Sequence, residues 1–229
     1  ANYAGGNSIE TVSGDVAVSS DSASRSYGMW AFSSGSKNSI ATDSGSVSVD
    51  ASSSANGLSN GMFAENFGAN SITTNGGTVA VSASNTGSGD AHGMHALNSG
   101  SNSIASAADI PLTVTITATA ASAQKAIAMW AQGGGAVNYI TGHSQAGGDG
   151  DSITLSGGIA MQTANGGRNI ITTGAGNDHV TINGAVKGSG NQINVGGGSN
   201  TVTLNGAVES GSLNVIATDG TYTLILQAS

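Results

Sequence analysis

The chain has 229 residues, with 37 glycines, one proline (Pro111) and no cysteine, and its 13 acidic and five basic side chains give a formal net charge of −8. The lack of cysteine excludes a disulfide framework, a thiolate nucleophile and a cysteine-based zinc site. The acidic balance leaves no basic surface for nucleic acid or an anionic membrane, and no apolar run reaches the roughly 18 residues that suggest a membrane span.

Three short motifs recur in a fixed order along the chain. The first is Asn-x-Ile, with isoleucine-to-isoleucine steps of 31, 32, 32, 36, 31, 22 and 22 residues when Val215 is counted as the last copy. Its asparagines are Asn7, Asn38, Asn70, Asn102, Asn138, Asn169 and Asn191.

The second motif is a strand of alternating apolar residues, from Val16/Val18 to Leu224/Leu226. The third is a methionine followed two residues later by a small residue. Its methionines are Met29, Met62, Met94, Met129 and Met161. Each motif has a period of two and is bounded by glycine, serine and asparagine, which is typical of β-strands.

A short strand that recurs every 22 to 36 residues cannot bury its apolar face alone, but stacked copies bury a continuous core. The sequence therefore predicts an all-β fold, a single-stranded parallel β-solenoid of about eight rungs without significant α-helix. Residues 1–165 are expected to form long three-arm rungs, and 166–229 a continuation with 22-residue rungs. In the shorter rungs Val186 and Val208 are expected to replace the methionines.

Residues two apart on a strand share a face, so the asparagines point inward with the isoleucines. Stacked amides can satisfy one another by hydrogen bonding, and we therefore interpret this column as a structural ladder. Ligand binding is the alternative reading. The members assigned to the ladder are Asn38, Asn70, Asn102, Asn138 and Asn169.

The residue after each methionine must point outward. This column, called the outer row below, places four rings on one face, and the position two residues earlier is always glycine or alanine (Gly28 in the first copy). Exposed rings on a rigid sheet can stack on sugars or on a partner; the alternative is that they stack on one another. The predicted ligand-binding residues are Trp30, Phe63, His95 and Trp130.

Two residues before the second motif, the chain carries Gly14, Gly45 and Gly77, and later Asp151, Asp178 and Asn200. Glycine, asparagine and aspartate tolerate positive φ, which predicts a corner of the coil. Residues 174–180 also resemble the glycine-rich, aspartate-bearing nonapeptide of repeats-in-toxin β-rolls. That resemblance implies Ca²⁺, with Asp149, Asp151 and Asp178 as candidate ligands, although the copies lie 27 and 22 residues apart instead of nine.

The sequence offers no catalytic constellation. Polysaccharide-active solenoids need clustered acids beside a base on one face, and none of the five Lys and Arg residues falls in register beside an acid column. The four histidines are scattered. We expect a non-enzymatic protein with no cofactor unless Ca²⁺ binds.

The repeated x-Gly-Met-x-Ala segments (27–31, 60–64, 92–96), the Asn-Ser-Ile turns and residues 176–186 resemble bacterial autotransporter passenger regions in repeat style and composition. The resemblance covers nearly the whole chain. It implies a right-handed β-helix displayed on a Gram-negative surface for adhesion, aggregation or biofilm formation, here as a fragment of a longer protein. Its partners would be surface glycans or proteins, or other copies of itself.

Two further functions stay open at this point. The rod is a candidate self-assembling fibre subunit, because a solenoid ends in unpaired strand edges. A secreted, calcium-binding β-roll-like protein is the other alternative.

Overall fold

The computed structural model describes residues 6–106, 110–163 and 166–227. Across these residues the chain is a parallel β-solenoid, as predicted, and a single 3-10 turn, Ala123–Lys125, is the only helical element described. None of the helical structure in the described ranges is long and apolar enough to cross a membrane.

The first arm of the coil is a sheet of eight parallel strands, one from each rung, which confirms the rung count. The strands pair in the register of the motif, with asparagine opposite asparagine and isoleucine opposite isoleucine. Numbered along the chain, they are β1 (Asn7–Thr11), β4 (Lys37–Thr42), β7 (Ala69–Thr74), β10 (Ser101–Ser106), β13 (Val137–Thr141), β15 (Arg168–Thr172), β17 (Gly190–Val195) and β20 (Leu213–Ala217).

The second and third arms belong to one larger sheet that bends around the core. The second arm comprises β2 (Val16–Ser22), β5 (Val47–Ser53), β8 (Thr78–Asn85), β11 (Thr113–Ala120), β18 (Gly198–Leu204) and β21 (Gly220–Leu226). The third arm comprises β3 (Ser26–Ala31), β6 (Ser59–Ala64), β9 (Ala91–Ala96), β12 (Ala126–Ala131) and β19 (Val208–Glu209). Two long strands, β14 (Asp149–Thr163) and β16 (Asn177–Lys187), serve both arms at once.

The core is the space enclosed by the three arms, and the repeated apolar columns fill it. The isoleucines of the first arm, the valine, isoleucine and leucine pairs of the second and the methionines of the third form one continuous buried cluster. Met62, Met94 and Met129 are fully buried. The flexible thioether suits the uneven space where three arms converge.

The change in rung type begins at β14, where the turn between the second and third arms disappears. The same column continues without it: Val186 pairs with Met161, and Val208 pairs with Val186, as expected. The predicted boundary at residue 165 lies outside the described residues.

Candidate binding face

The outward face of the third arm differs from the prediction because its strands do not alternate regularly. Gly28 was expected to share the outer face with Trp30. Instead it faces the core, since a Cβ added to Gly28 would lie 2.7 Å from Cγ1 of Val49. Tyr27 takes the outward place, with its ring stacked on Trp30. Glycine allows the backbone to approach the second arm this closely.

The same local kink repeats in the next two rungs, where Gly61 and Gly93 face Val81 and Ile116. The third arm therefore carries two outward columns, three residues apart in each strand. Beside the outer row runs a second column, Tyr27, Asn60, His92, Ile127 and Ile159. We call the two columns together the outer cluster.

The rings of the outer cluster pack against one another along the rod. His95 is stacked on Trp130 with ring centroids 4.3 Å apart and planes inclined by 6°. Phe63 lies 5.0 Å from His95 and 5.5 Å from Tyr27. The alternative interpretation of the outer row, in which its rings stack on one another, is therefore correct for Phe63, His95 and Trp130.

Mutual packing removes two of the four predicted ligand-binding residues from the surface. Phe63 is 3% exposed and His95 4%, whereas Trp130 is half-buried and Trp30 is 47% exposed. The idea of four rings open to solvent is wrong, because the second column, which the period-two pattern assigned inward, covers the row from the side.

A different set of exposed rings lies where the third arm turns toward the first. Phe32 is 62% exposed and meets Trp30 edge-on at 5.8 Å, and Phe67, 65% exposed, lies in the stacked turn of the next rung. The two turns are joined by Asn66, whose Nδ2 donates to the carbonyl oxygen of Phe32 over 2.8 Å. We call Trp30, Phe32 and Phe67 the aromatic corner.

The sequence pattern predicted Trp30 but missed Phe32 and Phe67, because turn residues belong to none of the three motifs. One signal was present: phenylalanine at 32 and 67 interrupts turns that otherwise contain only serine, asparagine, glutamate and glycine. Phe67 has φ +65°, a left-handed conformation that is unfavourable for a bulky side chain. Backbone strain of this kind clusters at functional sites.

Charges beside the corner are few. Burial raises the pKa of the Tyr27 hydroxyl, an effect that Arg25 opposes, and burial also raises the pKa of the Glu65 carboxyl. Tyr27, Arg25 and Glu65 are therefore the polar side chains beside the exposed rings.

The asparagine column is the predicted internal ladder, and it also holds the third arm in place. From Asn7 to Asn169, each amide nitrogen donates to the amide oxygen of the next rung, as from Asn70 to Asn102 over 2.8 Å. Its other hydrogen goes to a carbonyl oxygen of the outer row in its own rung, as from Asn70 to His95 over 2.8 Å. The ladder thus ties the backbone of the binding face to the first arm.

Of the three candidate calcium ligands, the structure brings Asp151 and Asp178 together but leaves Asp149 apart. Asp149 is exposed, whereas Asp151 and Asp178 are fully buried, and no group of three or more acidic or histidine side chains converges within the described ranges. The oxygens of Asp151 accept from the backbone N–H groups of Leu112 (2.7 Å) and Gly174 (2.8 Å). N–H donors of this kind stabilise a carboxylate without a cation.

The same column forms a hydrogen-bonded ladder. Asp178 accepts the backbone N–H of Asp151 over 2.7 Å, and Asn200 accepts that of Asp178 over 2.9 Å. The positive-φ corner is present at Gly14, Gly45 and Gly77 but not at the two aspartates or Asn200, so this prediction is wrong for the downstream half.

Burial raises the pKa of Asp178, partly offset by its hydrogen bonds from Thr173, the Asp151 N–H and Ser144, while the charge of Asp151 adds to the rise. The Ser144 hydroxyl lies 3.1 Å from Asp151 and 2.9 Å from Asp178. It has one proton, so it can donate to only one of the two carboxylates at a time.

Comparison with protein-family models, with curated proteins and with solved structures gave no significant match.

Proposed function

We propose that this chain is a non-enzymatic, surface-displayed rod that binds neutral glycans through the aromatic corner. The repeat style that resembles autotransporter passengers supports the display on a Gram-negative cell surface and a role in adhesion or aggregation. The rigid solenoid supplies a platform whose shape does not depend on the ligand.

The observation that carries the proposal is the exposure of three large rings at one place. Burying an aromatic side chain contributes about 2 kcal/mol or more, so a folded chain gains nothing from leaving Trp30, Phe32 and Phe67 in solvent. Aromatic faces match the C–H faces of sugar rings in shape and polarity. Asn66 and Arg25 lie nearby as hydrogen-bonding groups for hydroxyls.

Charge narrows the class of glycan. With a net charge of −8, the rod repels polyanions, including sulfated and sialylated chains. We therefore expect neutral polysaccharides to bind better than acidic ones at low ionic strength.

The test uses the intact chain on an array of neutral, sialylated and sulfated glycans. The triple variant Trp30→Ser/Phe32→Ser/Phe67→Ser should lose binding to neutral glycans by at least tenfold while its circular dichroism stays that of a β-solenoid. Binding to no glycan, or undiminished binding by the triple variant, would refute the proposal.

The chain offers a matched control in three exposed apolar residues that lie away from the corner. These are Val12, Ile110 and Tyr139. The triple serine variant at these positions removes a similar amount of exposed apolar surface and should bind as the parent does.

A further inference from the structure

The middle of the outer cluster contains two histidines, in columns whose neighbouring rungs hold Phe63, Trp130 and Ile127. His92 and His95, both on β9, are 1% and 4% exposed. Their ring centroids lie 4.6 Å apart, and His92 also meets Trp130 at 5.0 Å. Neither residue has a role in the aromatic corner.

The ring nitrogens of His92 and His95 have few hydrogen-bond partners. His92 Nδ1 lies 2.8 Å from Oδ1 of Asn60, an oxygen that can only accept, so the neutral ring carries its proton on Nδ1. Both ring nitrogens of His95 are buried without a hydrogen-bond partner, as is Nδ2 of Asn60. The cluster therefore holds His95 as an imidazole with no hydrogen-bond acceptor at either ring nitrogen, beside a His92 ring bonded to Asn60.

Within the described ranges, the strands packed against the two rings carry no counter-charge. The elements packed against β9 are β6, β7, β8, β10, β11 and β12, and none of these strands contains an aspartate, glutamate, lysine or arginine. The two histidines are the titratable side chains within β9 itself, and the acid that directly precedes this strand, Asp90, lies 3.9 Å from the Lys125 ammonium. Burial lowers the pKa of His92 to about 3, and burial together with the nearby His92 lowers that of His95 well below its ordinary value.

We propose that His92 and His95 make the outer cluster an acid-sensitive element, which is closed while both rings are neutral and opens at the middle rungs when they are protonated. In the open form the rings meet water and recover an ordinary pKa near 6.5. The open form then binds more protons than the closed one, so acid favours opening. The effect begins as the pH falls through about 6.5, and each further pH unit favours the open form by up to tenfold per histidine until the closed-state pKa is reached.

This device is independent of glycan binding and is tested without a ligand. In a Trp30→Phe background the remaining Trp130 reports on its stacked neighbour His95. We expect a reversible change in Trp130 fluorescence between pH 6.5 and 4, with faster amide hydrogen exchange in β6, β9 and β12 and unchanged exchange in the first arm.

The chain itself supplies the variants. Ile127 and Phe63 occupy the same two columns as His92 and His95, so His92→Ile/His95→Phe keeps the packing and should abolish the transition. Each single variant should reduce its steepness, which guards against a double variant that fails to fold. Replacing the exposed His143 and His179 by asparagine should leave the transition intact. An acid transition that survives the double variant, or exchange that rises equally in the first and third arms, would overturn the proposal.

Discussion

The upstream and downstream rungs form the corner before the second arm in two different ways. Where the chain enters the second arm, the early rungs use Gly14, Gly45 and Gly77 with φ of +100°, +117° and +99°. The same column continues through Leu112 into the aspartates, which keep ordinary φ and bond to the preceding rung through their side chains.

The difference shows that a stacked corner is stabilised either by backbone conformation or by side-chain acceptors, but not by both. A Cβ at Gly45 or Gly77 would collide with the carbonyl group of the preceding glycine, so the first solution excludes any side chain. In the second, the side chain points inward and must accept buried N–H groups, because an unpaired one costs about 1–3 kcal/mol.

The largest expected effect comes from breaking the ladder common to both regions. Replacing Asn102 by leucine removes the acceptor of the Asn70 amide and the donors to Asn138 and to the carbonyl oxygen of Trp130. Three buried groups lose a partner, so the free energy of unfolding should fall by about 3–5 kcal/mol. Urea unfolding measures this.

The equivalent substitution in the short rungs is Asn191→Leu. Asn191 donates only to Gly188, and its neighbour in the next rung is already Leu213. Asn191→Leu leaves the Asn169 amide and the Gly188 carbonyl without a partner, two groups instead of three, and should lower stability by roughly two thirds as much as Asn102→Leu. Equal losses would contradict the view that the ladder acts through its neighbours on both sides.

The two buried aspartates should respond differently to asparagine. Both oxygens of Asp151 accept backbone N–H groups, so an amide nitrogen there faces a donor, and Asp151→Asn should lower the free energy of unfolding by about 2–4 kcal/mol at pH 7. Asp178 has one oxygen on the Thr173 hydroxyl, which can turn to accept. Asp178→Asn should change stability by less than about 1 kcal/mol.

The pH dependence of the free energy of unfolding tests whether Asp178 has a raised pKa in the folded state. Since the pKa of Asp178 is raised, the folded state binds its proton more tightly than the unfolded state does. Its contribution to stability is thus complete below the unfolded value of about 3.9 and is lost as the pH rises through the folded value. Asp178→Asn should remove this decline from a series of denaturation curves; a decline that persists would assign it to another group.

A smaller effect is expected at the aromatic corner, where one substitution should change stability and glycan binding in opposite directions. Phe67→Asn relieves a left-handed φ, and asparagine already occupies this conformation at Asn66 and Asn98. Stability should rise by about 1 kcal/mol, while glycan binding weakens. A thermal melt and the glycan array measure the two outcomes, and a loss of stability would show that the Phe67 side chain contributes packing instead.

The smallest effect is expected where the third arm tapers to β19. Lys187 and Glu209 form an ion pair of 2.9 Å that is partly exposed. Lys187→Gln should lower the free energy of unfolding by no more than about 0.5 kcal/mol, and by less at high salt. A larger loss would mean that charge, and not the Val186–Val208 contact, holds the short third arm.

The period-two pattern could not predict much of the outward face of the third arm, for a physical reason. Period two assigns alternate residues to opposite sides, but Gly28 and Met29 both face the core. A glycine has no side chain to reveal its direction, so nothing in the pattern marks the kink. The burial of Phe63 and His95 follows from the second outward column, which only the kink creates.

By itself, the sequence determined the architecture. The spacing of Asn-x-Ile predicted eight rungs, the register of the first arm and the internal ladder, because identical columns can bury their apolar and amide groups only by stacking on one another. The continuation of the methionine column through Val186 followed from the same periodicity.

Only the tertiary structure decided which side chains meet solvent and which satisfy one another. Exposure depends on the flanking column and on neighbours from other rungs, which are distant along the chain: Asp151 and Asp178, for example, lie 27 residues apart. This is why Asp151 and Asp178 accept buried backbone N–H groups, and why the exposed rings lie at Phe32 and Phe67.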